Sequence, residues 1–277
     1  MDNAIQSETG FVEVDGAPIF YEVAGEGPAL VLIHEGIADS RMYDGQFMSL
    51  AQRYRVVRYD LHGFGRSGTP KQAYTHHGAL RTLLQHLSID RTAILGMSLG
   101  GMIAIDFALT YPEMVGTLLL LASGVGGYLP GEATAALAAP MADAFKAGDF
   151  LRAIELSVRF WVDGPNRGPE EVDSAIRERV RSMYTDVLRR SRDGGRQADS
   201  LQPPACTRLG EIRVPTLIVV GAGDVPDILD QADLLDREIA GARKIVLPRV
   251  AHVLNMERPA EINAMILDFL EQPYSAE

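Results

Sequence analysis

Apolar runs alternate along this chain with stretches of helical spacing. Two short runs near the start, Phe11–Val14 and Ile19–Val23, flank Asp15-Gly16, a dipeptide typical of a tight hairpin turn. Most of the later runs are continuously apolar, as expected for strands buried on both faces of a parallel sheet. They occupy residues 29–33, 55–59, 93–95, 116–121, 215–221 and 244–248. The pattern predicts an α/β fold with a doubly wound, mostly parallel, eight-stranded sheet and right-handed crossovers.

This alternation stops near Gly126, and helical periodicity then continues to about Gln202. It predicts amphipathic helices over residues 133–147, 150–162 and 170–192, separated by glycine- and proline-containing loops. We therefore predict a core of residues 1–128 and 203–277. Residues 129–202 form an inserted helical cap, or lid, over the carboxyl ends of the strands.

The pentapeptide Gly96-Met97-Ser98-Leu99-Gly100 joins a predicted buried strand to a predicted helix. So sharp a turn strains its central residue and crowds the residues two places away, which explains glycine at 96 and 100. The Ser98 hydroxyl then lies over the first turn of a helix, where the Leu99 N–H can stabilise an oxyanion. Because Gly-X-Ser-X-Gly also occurs in ordinary turns, a nucleophilic serine needs partners elsewhere in the chain.

A serine hydroxyl becomes a good nucleophile when a base removes its proton and a carboxylate orients that base. Asp224 and His252, like Ser98, directly follow predicted strands, so a parallel sheet brings all three to one edge. Asp227 is an alternative acid, although it also suits the start of the next helix as a cap. The other histidines are weaker candidates for the base, because we expect loop packing or solvent exposure for them: His62, His76, His77 and His86.

The order of Ser98, Asp224 and His252, the turns at 34–37 and 60–67, and the helical insertion together resemble the α/β-hydrolase fold superfamily. Within it, the sequence is most similar to small bacterial esterases and enol-lactonases. The resemblance covers the chain after about residue 10. It implies that Ser98 is the nucleophile, that His252 is the general base and acid, and that Asp224 orients the histidine.

The same resemblance implies an oxyanion hole formed by the backbone N–H groups of Leu99 and Gly36. The family usually has His-Gly at the start of this turn, whereas here Glu35 follows His34. A carboxylate aimed into an oxyanion hole opposes the charge that develops there, so we expect Glu35 to point away, tied to an arginine or a backbone N–H. On this interpretation, Glu35→Gln changes turnover of a simple ester by less than about tenfold.

Hydrolysis of a carboxylic ester or lactone through an acyl-enzyme on Ser98 is the leading hypothesis. The predicted cap is rich in alanine and leucine, which favours a small-molecule substrate with an apolar part. We expect its pocket to be lined by Ile37, Met97, Tyr128, Phe145, Phe160, Trp161 and Val253. Alternatives on the same triad are a cofactor-independent lyase, an acyltransferase or a C–C hydrolase, and a third possibility is a non-catalytic ligand receptor.

Composition narrows the range of partners. A net charge of −11 argues against nucleic acid, because binding phosphates requires concentrated lysine and arginine. Cys206 is the only cysteine, which excludes an intrachain disulfide and favours a cytoplasmic location. We expect no secretory signal, no membrane span, no metal and no cofactor, because the spacings typical of each are missing. A monomer and a homodimer are both compatible with the sequence.

Overall fold

The computed structural model describes residues 5–191 and 196–272. Eight strands form one sheet, as predicted. They are β1 (Ser7–Val14), β2 (Ala17–Ala24), β3 (Ala29–Ile33), β4 (Arg55–Tyr59), β5 (Thr92–Met97), β6 (Val115–Leu121), β7 (Thr216–Gly221) and β8 (Arg243–Leu247). Their order in the sheet is β1-β2-β4-β3-β5-β6-β7-β8. The pairs β1–β2 and β2–β4 are antiparallel, and all other pairs are parallel.

Helices connect most of the strands. In the described part of the chain the α-helices are α1 (Asp44–Leu50), α2 (His76–His86), α3 (Leu99–Thr110), α4 (Glu132–Lys146), α5 (Phe150–Val158), α6 (Ser174–Ser191), α7 (Pro226–Glu238), α8 (Leu254–Glu257) and α9 (Pro259–Glu271). Short 3-10 turns lie between them, including Ser40–Tyr43, and a π-helical turn over Arg159–Asp163 extends α5. The three helices α4, α5 and α6 lie between β6 and β7, where helical periodicity predicted an insertion.

The strand order reverses between β3 and β5, so the sheet is doubly wound. From β3 the chain crosses to β4 on one side, whereas from β5 it crosses to β6 on the other. Because parallel crossovers are right-handed, α1 and α3 cover opposite faces of the sheet. Accordingly, α1 packs against α9, and α3 packs against α2. In such sheets a crevice forms at the carboxyl ends of the strands where the order reverses.

Apolar runs become the central strands because both of their faces are covered. Leu30 to Ile33 of β3 and Leu118 to Leu121 of β6 are fully buried. The parallel register pairs Ile33 with Gly96, Met97 with Leu121, and Gly221 with Leu247. The residues that follow β3, β5, β6, β7 and β8 therefore meet at one edge of the sheet. Among the described helices, none combines the length and apolar character that a membrane crossing requires.

Candidate active site

The turn between β5 and α3 is strained at Ser98. Its backbone has φ 52° and ψ −112°, a left-handed conformation that L-residues other than glycine rarely adopt. A Cβ atom at Gly96 would collide with the carbonyl oxygen of Gly100, and one at Gly100 would collide with that of Ile33. The Ser98 N–H donates to the Leu121 carbonyl at 3.0 Å, which ties the turn to the neighbouring strand. Ser98 is thus held, half-buried, at the edge where the strand order reverses.

Gly100→Ala is expected to lower the free energy of unfolding by about 2–3 kcal/mol, because the added methyl group must displace the backbone of β3. Urea denaturation followed by circular dichroism measures this change. Gly116→Ala on β6 is the matched control, since its Cβ would lie 3.6 Å from the nearest atoms and fits without rearrangement. Equal losses in the two variants would contradict the argument.

His252 and Asp224 form a buried pair at the same edge of the sheet. His252 Nδ1 lies 2.8 Å from Asp224 Oδ2, and the exposed fractions of the two side chains are 1%. Asp224 Oδ1 accepts a bond from the Val225 N–H at 2.8 Å. Burial alone would lower the pKa of His252, but the carboxylates of Asp224 and Glu35 outweigh it and raise that pKa above its ordinary value. The histidine is therefore held by Nδ1, with Nε2 left for a partner.

Glu35 occupies that side of the ring, contrary to the expectation that it points away. Its Oε2 lies 3.5 Å from His252 Nε2, and its side chain is 1% exposed. Neither carboxylate oxygen has a hydrogen-bond partner among the described residues, so the predicted tie to an arginine or a backbone N–H is wrong. Burial raises the pKa of Glu35 to about 7; the His252 charge opposes this shift and the Asp224 charge adds to it.

The backbone of Glu35 is held by the preceding residue. His34 Nδ1 donates to the Glu35 carbonyl at 2.7 Å, and His34 Nε2 accepts from the Leu61 N–H at 2.9 Å. A ring that donates through one nitrogen and accepts through the other is a neutral imidazole of one tautomer. Burial accordingly lowers the pKa of His34, against the charge of Asp60. The loop after β3 is thus locked against the loop after β4.

Trp161 covers His252 from the helical insertion. Their ring centroids are 4.5 Å apart, and Phe160 packs edge-on against Trp161 at 4.6 Å. Both aromatic residues lie in the π-helical turn, a form of helix that is often found at functional sites. Of the residues predicted to line a substrate pocket, Trp161 is the one that the structure brings against the candidate base.

The insertion is anchored on the loops that carry the acid and the base. A Cβ atom at Gly164 would collide with the Gly223 carbonyl, so the two backbones are in direct contact. Arg167 forms a bidentate ion pair with Glu257 at 2.6 and 2.9 Å and donates to the Arg249 carbonyl at 3.1 Å. These contacts hold the π-helical turn that ends at Asp163 against the loops that follow β7 and β8.

The residues predicted to supply the oxyanion donors, Leu99 and Gly36, are neighbours in the fold. Leu99 is the first residue of α3, where a backbone N–H has no partner inside the helix. Its side chain lies against Gly36, since a Cβ atom built on that glycine would be 3.7 Å from Leu99 Cδ2.

The other residues predicted to line a substrate pocket lie in the hydrophobic core or inside the helical insertion. Met97 and Val253 are fully buried in the hydrophobic core, and Ile37 is 8% exposed. Phe145 packs on Phe150 and Tyr184 inside the helical insertion, and Tyr128 lies partly buried against the core.

Two of the four weaker histidines differ from expectation. His86 is exposed, but His77 is 8% exposed and His76 is half-buried, because α2 packs against α3. His62 is buried in its loop, as expected, with its Nδ1 facing the Gly68 carbonyl at 3.4 Å. Asp227, the alternative acid, accepts bonds from the Gly131 N–H at 3.1 and 3.2 Å. It caps the start of α4 and is not the partner of His252.

Glu35 and His34 are the residues whose contribution sequence reasoning missed. The departure from the family pattern at Glu35 is visible in the sequence, but the direction of the Glu35 side chain is not.

Within residues 5–191 and 196–272, no cluster of three or more histidine, cysteine, aspartate or glutamate side chains is arranged to hold a metal ion.

Comparison with known proteins defines the class to which this fold and site belong. The sequence model of the alpha/beta hydrolase family matches residues 30–265, and the chain belongs to that family. An uncharacterised protein of Mycobacterium bovis is 41% identical over 118 residues, which are 41% of this chain and 34% of that protein. The chain thus matches only about a third of that relative's length.

Two further similarities extend over most of the chain. The 2-hydroxy-6-oxo-6-phenylhexa-2,4-dienoate hydrolase of Comamonas testosteroni is 25% identical over 92% of this chain and 91% of its own length. The solved structure of Est816, described as an N-acyl homoserine lactone degrading enzyme, superposes with a TM-score of 0.76. It is 26% identical and covers 94% of this chain and 100% of the other. The predicted superfamily is therefore confirmed, and its members here include hydrolases of more than one bond type.

Proposed function

We propose that this protein is a serine hydrolase that cleaves a carboxylic ester or a lactone through an acyl-enzyme on Ser98. The observation that supports the proposal is a buried imidazole–carboxylate pair at the sheet edge that also holds a strained strand-to-helix serine. The chain belongs to the alpha/beta hydrolase family, and several of its relatives are hydrolases, which supports the proposal. Residues 129–202 act as the cap in this proposal, with Trp161 closing the site over His252.

In the proposed first step, Ser98 Oγ attacks the substrate carbonyl carbon while His252 Nε2 takes the hydroxyl proton. Asp224 holds the Nδ1–H, so that the imidazolium that forms is stabilised. The N–H groups of Leu99 and Gly36 stabilise the oxyanion of the tetrahedral intermediate. His252 then gives the proton to the departing alkoxide oxygen, which leaves an acyl-Ser98 ester and an alcohol, or the open hydroxy chain of a lactone.

Deacylation repeats these steps with water in place of the serine. A water molecule attacks the acyl carbon as His252 accepts one of its protons, and that proton returns to Ser98 Oγ as the ester breaks. The products are a carboxylic acid and the free enzyme. In this mechanism, the same imidazole must be neutral before each attack and protonated after it.

Covalent trapping tests the proposal. A fluorophosphonate is expected to label the protein at Ser98, located by peptide mass spectrometry, and a short-chain p-nitrophenyl ester is expected to give a burst of about one p-nitrophenol per protein. Ser98→Ala should lose the label. Ser157→Ala, which removes a fully buried hydroxyl bonded to the Ala153 carbonyl, should keep it. A label on another residue, or turnover with neither burst nor label, would overturn the assignment of Ser98.

Cleavage of a carbon–carbon bond is the second candidate reaction, because the Comamonas testosteroni relative that matches 92% of this chain is a dienoate hydrolase. In this chain, that reaction would use the same proposed residues, Ser98, Asp224 and His252. Consumption of 2-hydroxy-6-oxo-6-phenylhexa-2,4-dienoate, followed by its absorbance, together with inactivity across a panel of esters and lactones, would favour it. Activity on esters or lactones alone would favour the first candidate.

A further inference from the structure

Glu35 is a buried carboxylate that the proposed mechanism does not use. Both of its oxygens lack a hydrogen-bond partner among the described residues, although its side chain is 99% buried. Native proteins rarely leave buried polar groups unpaired, because the group loses its hydration without replacement. His34 holds the backbone of Glu35 in place through the carbonyl.

Among residues 5–191 and 196–272, three ionisable side chains interact electrostatically with Glu35, and one of them is basic. His252 comes from the loop after β8, Asp224 from the loop after β7, and Tyr43 from the 3-10 turn after β3. The Tyr43 hydroxyl donates to the Ile33 carbonyl at 2.9 Å and is therefore engaged elsewhere. Asp224 is engaged with His252 Nδ1 and the Val225 N–H. The Nε2 edge of His252 is thus the one facing group that can share a proton with Glu35.

Proton positions decide whether this contact is attractive. A neutral His252 whose Nδ1–H donates to Asp224 presents a lone pair at Nε2, and an ionised Glu35 presents only lone pairs in return. The contact becomes a hydrogen bond when one proton lies between the two groups, as imidazolium with carboxylate or as imidazole with carboxylic acid. With the proton there, Nε2 cannot accept the proton of Ser98.

We propose that Glu35 is a positioning residue that holds the Nε2 edge of His252 in the resting protein and competes with Ser98 for it. The inference deepens the proposed function and rests on it, since it assigns Glu35 control over when the base becomes free. Ser98 is activated only after the shared proton leaves the Glu35–His252 pair. The site therefore suits neutral to alkaline conditions, and acid holds it in the resting arrangement.

The sign of the pH dependence follows from the charges. The negative charge of Glu35, 3.5 Å from Nε2, stabilises the imidazolium and so raises the pKa of His252. A base with a raised pKa is free only at higher pH. Removing the carboxylate is thus expected to shift the acidic limb of Ser98 reactivity to lower pH by at least about one unit, and to speed labelling near pH 6 about tenfold.

The experiment combines a ring titration with a labelling rate. The full-length protein carrying ¹⁵N-histidine is titrated by NMR from pH 5 to pH 9, and the rate of fluorophosphonate labelling at Ser98 is measured over the same range. Glu35→Gln keeps the shape of the side chain, and Glu35→Ala removes its hydrogen-bonding groups altogether. Asp106→Asn is the matched control, since Asp106 on α3 is also buried with an unpartnered oxygen but is not among the charges that shift the pKa of His252.

The proposal is supported if both Glu35 variants lower the pKa of His252 and shift the labelling limb with it, while Asp106→Asn does neither. An unchanged His252 titration in the Glu35 variants, or an equal shift in Asp106→Asn, overturns the Glu35–His252 contact. A shifted titration with an unshifted labelling limb overturns the control over Ser98. Failure of the proposed function is distinct from these results, because it appears as a wild-type Ser98 that takes no label at any pH while the ring still titrates.

Discussion

Ser98→Ala is expected to lower kcat/KM for a short-chain p-nitrophenyl ester by about 10⁴-fold or more. The variant removes the atom to which the acyl group bonds, and water held by the remaining site is a far poorer substitute. The fold should survive, because the backbone bonds of residue 98 to Leu121, Met102 and Gly124 do not involve the side chain. Initial rates and urea denaturation, measured side by side, separate loss of chemistry from loss of structure.

The same comparison distinguishes an enzyme from a ligand receptor built on this fold. A receptor that keeps the triad would bind its ligand equally well with alanine at position 98, and wild type would show no turnover to lose. Ser157→Ala provides the control for loss of a hydroxyl group, and we expect it to retain activity within about threefold. A Ser98→Ala variant with a tenth of the wild-type rate would show that the acyl-enzyme is not on the path.

The strands, and the one sheet edge at which Ser98, Asp224 and His252 lie, could be foreseen because they depend on short-range patterns. Apolar runs identify buried strands, and parallel register aligns the carboxyl ends of those strands. Ser98 directly follows β5, and Asp224 and His252 lie in the loops that follow β7 and β8. In the structure, the Asp224 and His252 side chains accordingly lie 2.8 Å apart although 28 residues separate them.

The direction of Glu35 could not be foreseen, because it depends on contacts between distant loops. Its backbone is set by a His34 ring that bridges to the Leu61 N–H. No sequence pattern encodes that bridge, and the general rule that a carboxylate avoids an oxyanion hole favoured the opposite direction. Burial raises the pKa of Glu35 to about 7, so this carboxyl holds its proton to a higher pH than an exposed glutamate does.

Trp161 shows the same limit within a single helix. Its aromatic character marked it as one of several candidates to line a pocket, but regular helical spacing did not separate it from Phe145. The π-helical turn over Arg159–Asp163 changes the angular position of its residues relative to a continuous α-helix. Because of this turn and the Gly164 contact that follows it, Trp161 lies on His252, whereas Phe145 stays among the helices of the insertion.

Asp224→Asn is expected to lower kcat about 10⁴-fold while leaving the protein folded. The carboxylate accepts the Nδ1–H of His252, and an asparagine side chain can instead donate its amide hydrogen to Nδ1. The ring then carries its hydrogen on Nε2 and can no longer accept the Ser98 proton. Initial rates across pH 6–9 measure the loss. Higher pH should not restore the rate, because it deprotonates an imidazolium but does not move the hydrogen of a neutral imidazole from Nε2 to Nδ1.

Asp227→Asn is the control that separates the two candidate acids. Both carboxylate oxygens of Asp227 accept from the Gly131 N–H at the start of α4. Asp227→Asn should therefore weaken the start of α4 and keep kcat within about tenfold. A loss in Asp227→Asn as large as that in Asp224→Asn would transfer the orienting role to Asp227.

The wrong tautomer in Asp224→Asn also directs its Nε2–H at Glu35, 3.5 Å away, and makes that contact a hydrogen bond. Adding Glu35→Gln to Asp224→Asn should therefore leave the rate low, because freeing Nε2 from Glu35 restores no lone pair for Ser98.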